Sequence, residues 1–128
     1  MSTTEYLIDT NILIYHTKGS QAVSSFMSDV VAQRALNISI LTKIEFLGWE
    51  KHTREGFQKC EQLVKLANIY TIDEDIADQA IGLRRRVKIK LADAVIAATA
   101  LVNNLKLATR NMEDYKAVKE LEIFNPFK

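Results

Sequence analysis

The chain has 128 residues, 48% of them hydrophobic and 26% charged, a balance that fits one globular domain spanning 1–128 and excludes disordered, collagen-like and coiled-coil classes. Seventeen basic residues against sixteen acidic ones leave a net charge of +1, so contact with a nucleic acid would have to come from local basic clusters and not from a global positive field. A single cysteine, Cys60, rules out an internal disulfide; no signal-peptide pattern opens the chain, and no apolar run reaches the ~20 residues of a membrane span, so a cytoplasmic setting without membrane contact is expected.

Short apolar runs alternate with longer helical patterns. In chain order, "EYLI", "LNISI", "NIYTI", "KLAT" and "EIFN" read as strands, and helical patterns cover 20–34, 42–67, 74–87 and 91–103, with a short one at 112–119. Strand and helix in alternation imply right-handed crossovers. The expected fold is α/β, a three-layer α/β/α sandwich around a central, mostly parallel sheet of four to five strands. Open parallel sheets bind ligands beyond the carboxyl ends of their strands, which draws attention to polar residues directly after each apolar run.

The first run, "YLI", ends in Asp9, with Asn11 two positions on. An acid between a strand and a helix is a favoured N-cap, so capping explains Asp9 by itself. After "LNISIL" comes "TKIE", which has the form of a capping box with Thr42 as cap and Glu45 reaching back. Next, "RRRVKIK" at 84–90 places Arg84, Arg85 and Arg86 together, either as a phosphate-contacting patch or as an ordinary solvated helix end. Asp93 opens "LADAVIAATALVNN", where the positions three, four, seven and eight further on are all apolar. A charge there requires the positive end of the helix dipole or a cation partner. After "KLA" stand Thr109, Asn111 and Asp114, and Asn111 again fits an N-cap.

Together the acids raise a different question. Asp9, Glu45, Asp93 and the Asn111/Asp114 pair could share one crevice at the strand ends. Two carboxylates ~4 Å apart repel by ~4 kcal/mol at an effective dielectric near 20, so such a cluster calls for a divalent counter-ion. All-oxygen ligands suit Mg²⁺ or Mn²⁺; His16 and His52 are isolated and expected at the surface or on helix flanks, so no zinc cluster exists. Carboxylate-held Mg²⁺ at the end of a parallel sheet serves hydrolysis of phosphodiesters or phosphate esters, and the residues do not choose between them.

The stretches "LIDTNILIY", "SILTKIEFLGW", "IKLADAVIAATAL" and "LATRNMEDY" resemble, in order and spacing, the four acidic motifs of the PIN-domain ribonucleases, above all the VapC-type toxins of prokaryotic toxin–antitoxin pairs. The resemblance implies a Mg²⁺- or Mn²⁺-dependent endoribonuclease with Asp9 and Asp93 as principal metal ligands and Glu45 as ligand or general base. It further implies that Thr109 and Asn111 orient water or phosphate, and Asn11 could support Asp9 from behind. Many relatives carry Asp where this chain has Asn111, which leaves open whether Asn111 or Asp114 fills the fourth acidic position. The implied partners are an RNA substrate, a second copy in a homodimer, and a cognate antitoxin whose C-terminal segment lies across the active-site groove. Two alternatives remain. One is a phosphohydrolase with an aspartyl nucleophile, although such enzymes usually carry a second Asp where Asn11 stands. The other is a non-catalytic RNA- or protein-binding module with the same fold.

Overall fold

The computed structural model describes residues 5–127. Five strands form one all-parallel sheet: β1 (Tyr6–Ile8), β2 (Asn37–Ser39), β3 (Asn68–Tyr70), β4 (Lys106–Ala108) and β5 (Ile123–Phe124), in the order β3-β2-β1-β4-β5. Around it run helices α1 (Thr10–Thr17), α2 (Gln21–Ala32), α3 (Ile40–Leu47), α4 (Arg54–Lys65), α5 (Glu74–Arg86) and α6 (Leu91–Val102). Strand alternation sends successive side chains to opposite faces, so Leu7 and Leu107 pack with the α5/α6 layer while Ile8 and Ala108 pack with the layer that α1, α2 and α4 contribute to. The α/β/α sandwich expected from the sequence is present, with five strands. No helix among the described residues is long and apolar enough to cross a membrane.

From β1 the chain moves outward through β2 to β3, then crosses back to build β4 on the other side of β1. This reversal makes β1 and β4 the neighbours between which a crevice opens at their carboxyl ends. Ile8 pairs with Ala108, and the Asp9 amide donates to the Ala108 carbonyl at 3.0 Å, so the two strands end level. Asp9 and Thr109 leave the sheet side by side.

Three expected elements differ. Helix α1 lies outside the four helical patterns, although the N-cap reading of Asp9 implies a helix there: Asp9 caps it directly after β1, and Ile12 and Leu13 are buried in the layer shared with α2 and α4. The 42–67 helix is two helices, because α3 stops at Gly48 and Thr53 starts α4 by accepting the Gly56 amide at 3.0 Å. A side chain at Gly48 would bring its Cβ to 2.5 Å from the Ile44 carbonyl oxygen, a contact only glycine avoids. In place of a helix at 112–119 there is one 3₁₀ turn, Met112–Asp114, followed by further turns. Tyr115, Val118 and Leu121 are buried at three-residue intervals, and the amides of all three bond three residues back, a spacing that suits 3₁₀ geometry better than an α-helix.

Candidate active site

Asp9 is only 8% exposed and has two donors: the Thr10 amide on Oδ1 and the Thr109 hydroxyl on Oδ2, both at 2.8 Å. Thr109 is itself fully buried, tied to β5 through its amide and the Phe124 carbonyl, and its hydroxyl oxygen accepts the Asn111 amide at 3.0 Å. With that lone pair engaged, the hydroxyl proton is directed at Asp9. Burial nevertheless raises the Asp9 pKa above 3.8; the two hydrogen bonds oppose the rise, and the charges of Asp93 and Glu45 add to it.

Glu45 arrives differently from the capping-box expectation. Ser39, the last residue of β2, caps α3 by accepting the Leu41 amide at 3.0 Å. Thr42 is therefore one turn inside the helix, buried, with its hydroxyl 3.2 Å from that of Thr10. Thr10 donates to Glu45 Oε1 at 2.8 Å, which binds α3 to the start of α1 and turns the glutamate toward the crevice.

Asp93 sits in the first turn of α6, whose following residues from Ala94 to Ala100 are mostly buried. The Tyr115 hydroxyl lies 3.3 Å from Asp93 Oδ1. Burial comes first among the causes that raise the Asp93 pKa, followed by the charge of Asp114, with a smaller rise from Glu45; Tyr115 and Lys90 oppose them. Tyr115 is buried, and desolvation together with the charges of Asp9, Asp93 and Asp114 pushes its hydroxyl far above the ordinary value of 10.0. It acts as a fixed donor.

Asp9, Glu45, Asp93 and Asp114 thus lie within electrostatic reach at the carboxyl ends of β1 and β4. Asn111 contributes its backbone amide to Thr109, while its side chain caps nothing. Asn11 is not a donor to Asp9; Thr10 and Thr109 fill that place. Arg84, Arg85 and Arg86 are all exposed at the end of α5, and two of them make contacts within the chain. Arg84 donates to the Ile89 carbonyl at 2.8 Å, Arg86 pairs with Glu120 at 3.1 Å, and the cation that acts on Asp93 is Lys90. His52 is half-buried, its Nε2 2.7 Å from the Phe46 carbonyl, and Trp49 and Phe57 surround it.

The PIN-domain family profile matches residues 6–121, which takes in every one of these acids. The chain belongs to the PIN-domain family. Within it, the chain is 31% identical over 120 residues to ribonuclease VapC1 of Methanocaldococcus jannaschii, covering 89% of this chain and 81% of that protein. It is 28% identical over 121 residues to ribonuclease VapC10 of Mycobacterium tuberculosis, covering 91% and 90% of the two chains. A toxin–antitoxin complex from Klebsiella pneumoniae contains a chain with a TM-score of 0.78 and 32% identity, covering 97% of this chain and 99% of that one. This PIN domain is a VapC-family member.

The donor set of the PIN domain fits a hard divalent cation. It is all oxygen, and among the described residues no lysine or arginine contacts Asp9. Among the described residues no three His, Cys, Asp or Glu side chains converge closely enough to enclose an ion alone. Mg²⁺ ordinarily takes one or two carboxylates and completes its shell with water and substrate phosphate, so a pair of acids with others nearby suits it.

Two site features escaped sequence reasoning. Tyr115 ends the quoted "NMEDY", where its aromatic character signals core and hides the hydroxyl. Thr10 follows Asp9 in "IDTN", and its bond to Glu45 spans 35 positions, which no local pattern reveals.

Proposed function

We propose that this VapC-family PIN domain is a Mg²⁺- or Mn²⁺-dependent endoribonuclease, the toxin of a toxin–antitoxin pair, that hydrolyses RNA phosphodiester bonds. One observation carries the reading: Asp9 ends β1 with Glu45 tied to its neighbour Thr10, and Asp93 opens α6 against the Tyr115 hydroxyl. The charges of Asp93 and Glu45 raise the Asp9 pKa, and those of Asp114 and Glu45 raise that of Asp93. Asp9 and Asp93 hold the cation, with Asp114 filling the fourth acidic position through its charge on Asp93. A bound dication supplies the positive charge that neutralises the phosphate, lowers the pKa of water and stabilises the departing oxygen.

The remaining work belongs to the chain. Thr109 and the Thr10 amide fix the orientation of Asp9, and Tyr115 does the same for Asp93. Glu45, exposed and held by Thr10, is placed to accept the proton of the attacking water. Water adds to phosphorus as the ester P–O bond breaks. Asn11, where an aspartyl phosphatase would carry its acid, and the engagement of both Asp9 oxygens favour attack by water over attack by the carboxylate.

Beside Glu45 a cavity of about 340 Å³ is lined by Ile14, Phe46, Trp49, His52 and Cys60. Its apolar walls and its position suit a segment of the cognate antitoxin lying across the groove. A second copy in a homodimer would cover Ile72, Ile81 and Leu91, which stand 44%, 57% and 65% exposed around one groove between α5 and α6.

The test is cleavage of RNA by the purified chain. Activity is expected with added Mg²⁺ or Mn²⁺, none with EDTA, and Asp9→Asn and Asp93→Asn should remain folded while losing more than the roughly 100-fold that a ligand's outer support is worth. Full cleavage by both variants would refute the metal-site reading. Trapping of a phosphorylated aspartate from a phosphate ester would replace it with the phosphohydrolase, and metal binding without cleavage would replace it with the binding module.

A further inference from the structure

Arg110 follows Thr109 directly, so it stands just beyond β4 at the strand end that holds Asp9's partner. Its guanidinium carbon lies 4.4 Å from the centre of the Phe127 ring and 5.0 Å from that of Tyr15, and these rings meet edge to face at 5.0 Å. A guanidinium stacked on aromatic faces keeps its N–H groups directed outward in its own plane, available to hydrogen-bond. Arg110 is exposed and belongs to none of the ion pairs among the described residues, whereas Arg86, Lys106 and Lys116 each have an acidic partner. Its charge is held against two rings and meets no acidic side chain among the described residues. That combination matters one residue past Thr109, the buried donor to Asp9, because a polyanion approaching the acids meets repulsion and needs a cation on its path. Arginine ordinarily loses side-chain entropy when it fixes a ligand, and the two rings have removed much of that cost in advance.

We propose that Arg110 grips an RNA phosphate flanking the scissile one, on a platform made by Tyr15 and Phe127. The inference rests on the ribonuclease reading above. It makes Arg110 a positioning residue for the substrate, with its planar fork taking two oxygens of one phosphate. It also gives Phe127 a part in RNA binding. The competing role, an arginine that merely covers two rings, demands packing stability and no particular response to salt.

The experiment measures binding of a labelled, short single-stranded RNA of mixed sequence to the non-cleaving Asp9→Asn chain in EDTA, by fluorescence anisotropy over a range of salt. Arg110→Met should lower the slope of log affinity against log salt by ~0.7, the share of one phosphate contact on a single strand. Arg110→Lys should restore the slope, since the charge returns. Phe127→Leu should keep the slope and weaken binding at every salt concentration, since the charge remains but its platform is gone. In the cleaving chain, Arg110→Met should raise KM more than it lowers kcat. A folded Arg110→Met with an unchanged slope overturns the proposal, as does a fall in melting temperature with the slope unaltered. Cleavage by the unsubstituted chain separates the two levels: cleavage with an unchanged slope removes Arg110 alone, and absence of both cleavage and RNA binding removes the ribonuclease reading with it.

Discussion

The Thr109 hydroxyl donates to Asp9 Oδ2 at 2.8 Å across 100 positions of sequence, and both groups are buried. Loss of this donor leaves a buried carboxylate oxygen and the Asn111 amide with one partner fewer. Thr109→Val is expected to cost about 1–3 kcal/mol of stability, the penalty for an unsatisfied buried polar group. Because the bond lowers the Asp9 pKa, its removal should also shift the acid limb of the kcat/KM profile to higher pH. A melting curve and a pH–rate profile of the same protein check both effects.

Asp9 and Asp93 both bind protons more strongly in the fold than their ordinary value of 3.8, chiefly through burial. A group whose folded pKa is raised contributes stability that is complete below its unfolded value and is lost as pH rises through the folded value. Without divalent cations, melting temperature should therefore fall more steeply with rising pH above 3.8 in the unsubstituted chain than in Asp9→Asn. Mg²⁺ or Mn²⁺ should reverse the trend, since ligation requires the deprotonated acids, and should stabilise the chain more at neutral than at acid pH. Equal slopes in the two proteins would show that Asp9 is not strained by its surroundings.

Tyr115 packs its ring in the α5/α6 core and offers its hydroxyl to Asp93. Tyr115→Phe preserves the ring, so its stability cost should stay within the roughly 0.5–1.5 kcal/mol net worth of one hydrogen bond. The bond lowers the Asp93 pKa, so its loss should raise that pKa and weaken metal binding at acid pH more than at neutral pH. Titration calorimetry at two pH values distinguishes this from a simple packing defect, which would weaken both equally.

Asp114 raises the Asp93 pKa, whereas Asn111 brings no charge. Asp114→Asn should weaken Mn²⁺ binding by about 10-fold or more, the scale of an outer-ligand loss. Asn111→Asp should tighten it, by adding a carboxylate next to Thr109. If Asp114→Asn changes nothing, the fourth acidic position is empty in this chain.

The sequence was most legible where burial and period agree. "LADAVIAATALVNN" reads as a central helix because nearly every position is apolar, and α6 is that helix. "YLI" followed by Asp9 reads as a buried strand ending at a ligand-binding edge, and β1 ends there. Helix α1 is hard to read because "TNILIYHT" has no clear polar face; packed between α2 and α3 it is covered on several sides, so amphipathic period gives no signal. The 42–67 break is not marked by proline or a turn pair, only by Gly48, whose approach to the Ile44 carbonyl four residues back shows once the last turn of α3 has formed. Glu45 was ambiguous for a related reason: "TKIE" matches a capping box, yet Ser39 reaches the helix start first because β2 runs into α3 without a loop. The arginines of "RRRVKIK" are visible as a local cluster that fits a phosphate patch and a solvated helix end alike, while Arg110, a single cation, has stacking partners that only the folding of α1 and the C-terminal residues against it provides.

Calorimetric titration of Mn²⁺ into the unsubstituted chain, Asp9→Asn and Asp93→Asn addresses the shared site most directly. Saturable binding to the unsubstituted chain that disappears in both folded variants is expected, since the two acids, 84 positions apart, serve one cation. Binding of equal affinity in all three proteins would contradict a common metal site and leave these acids as helix-end residues only.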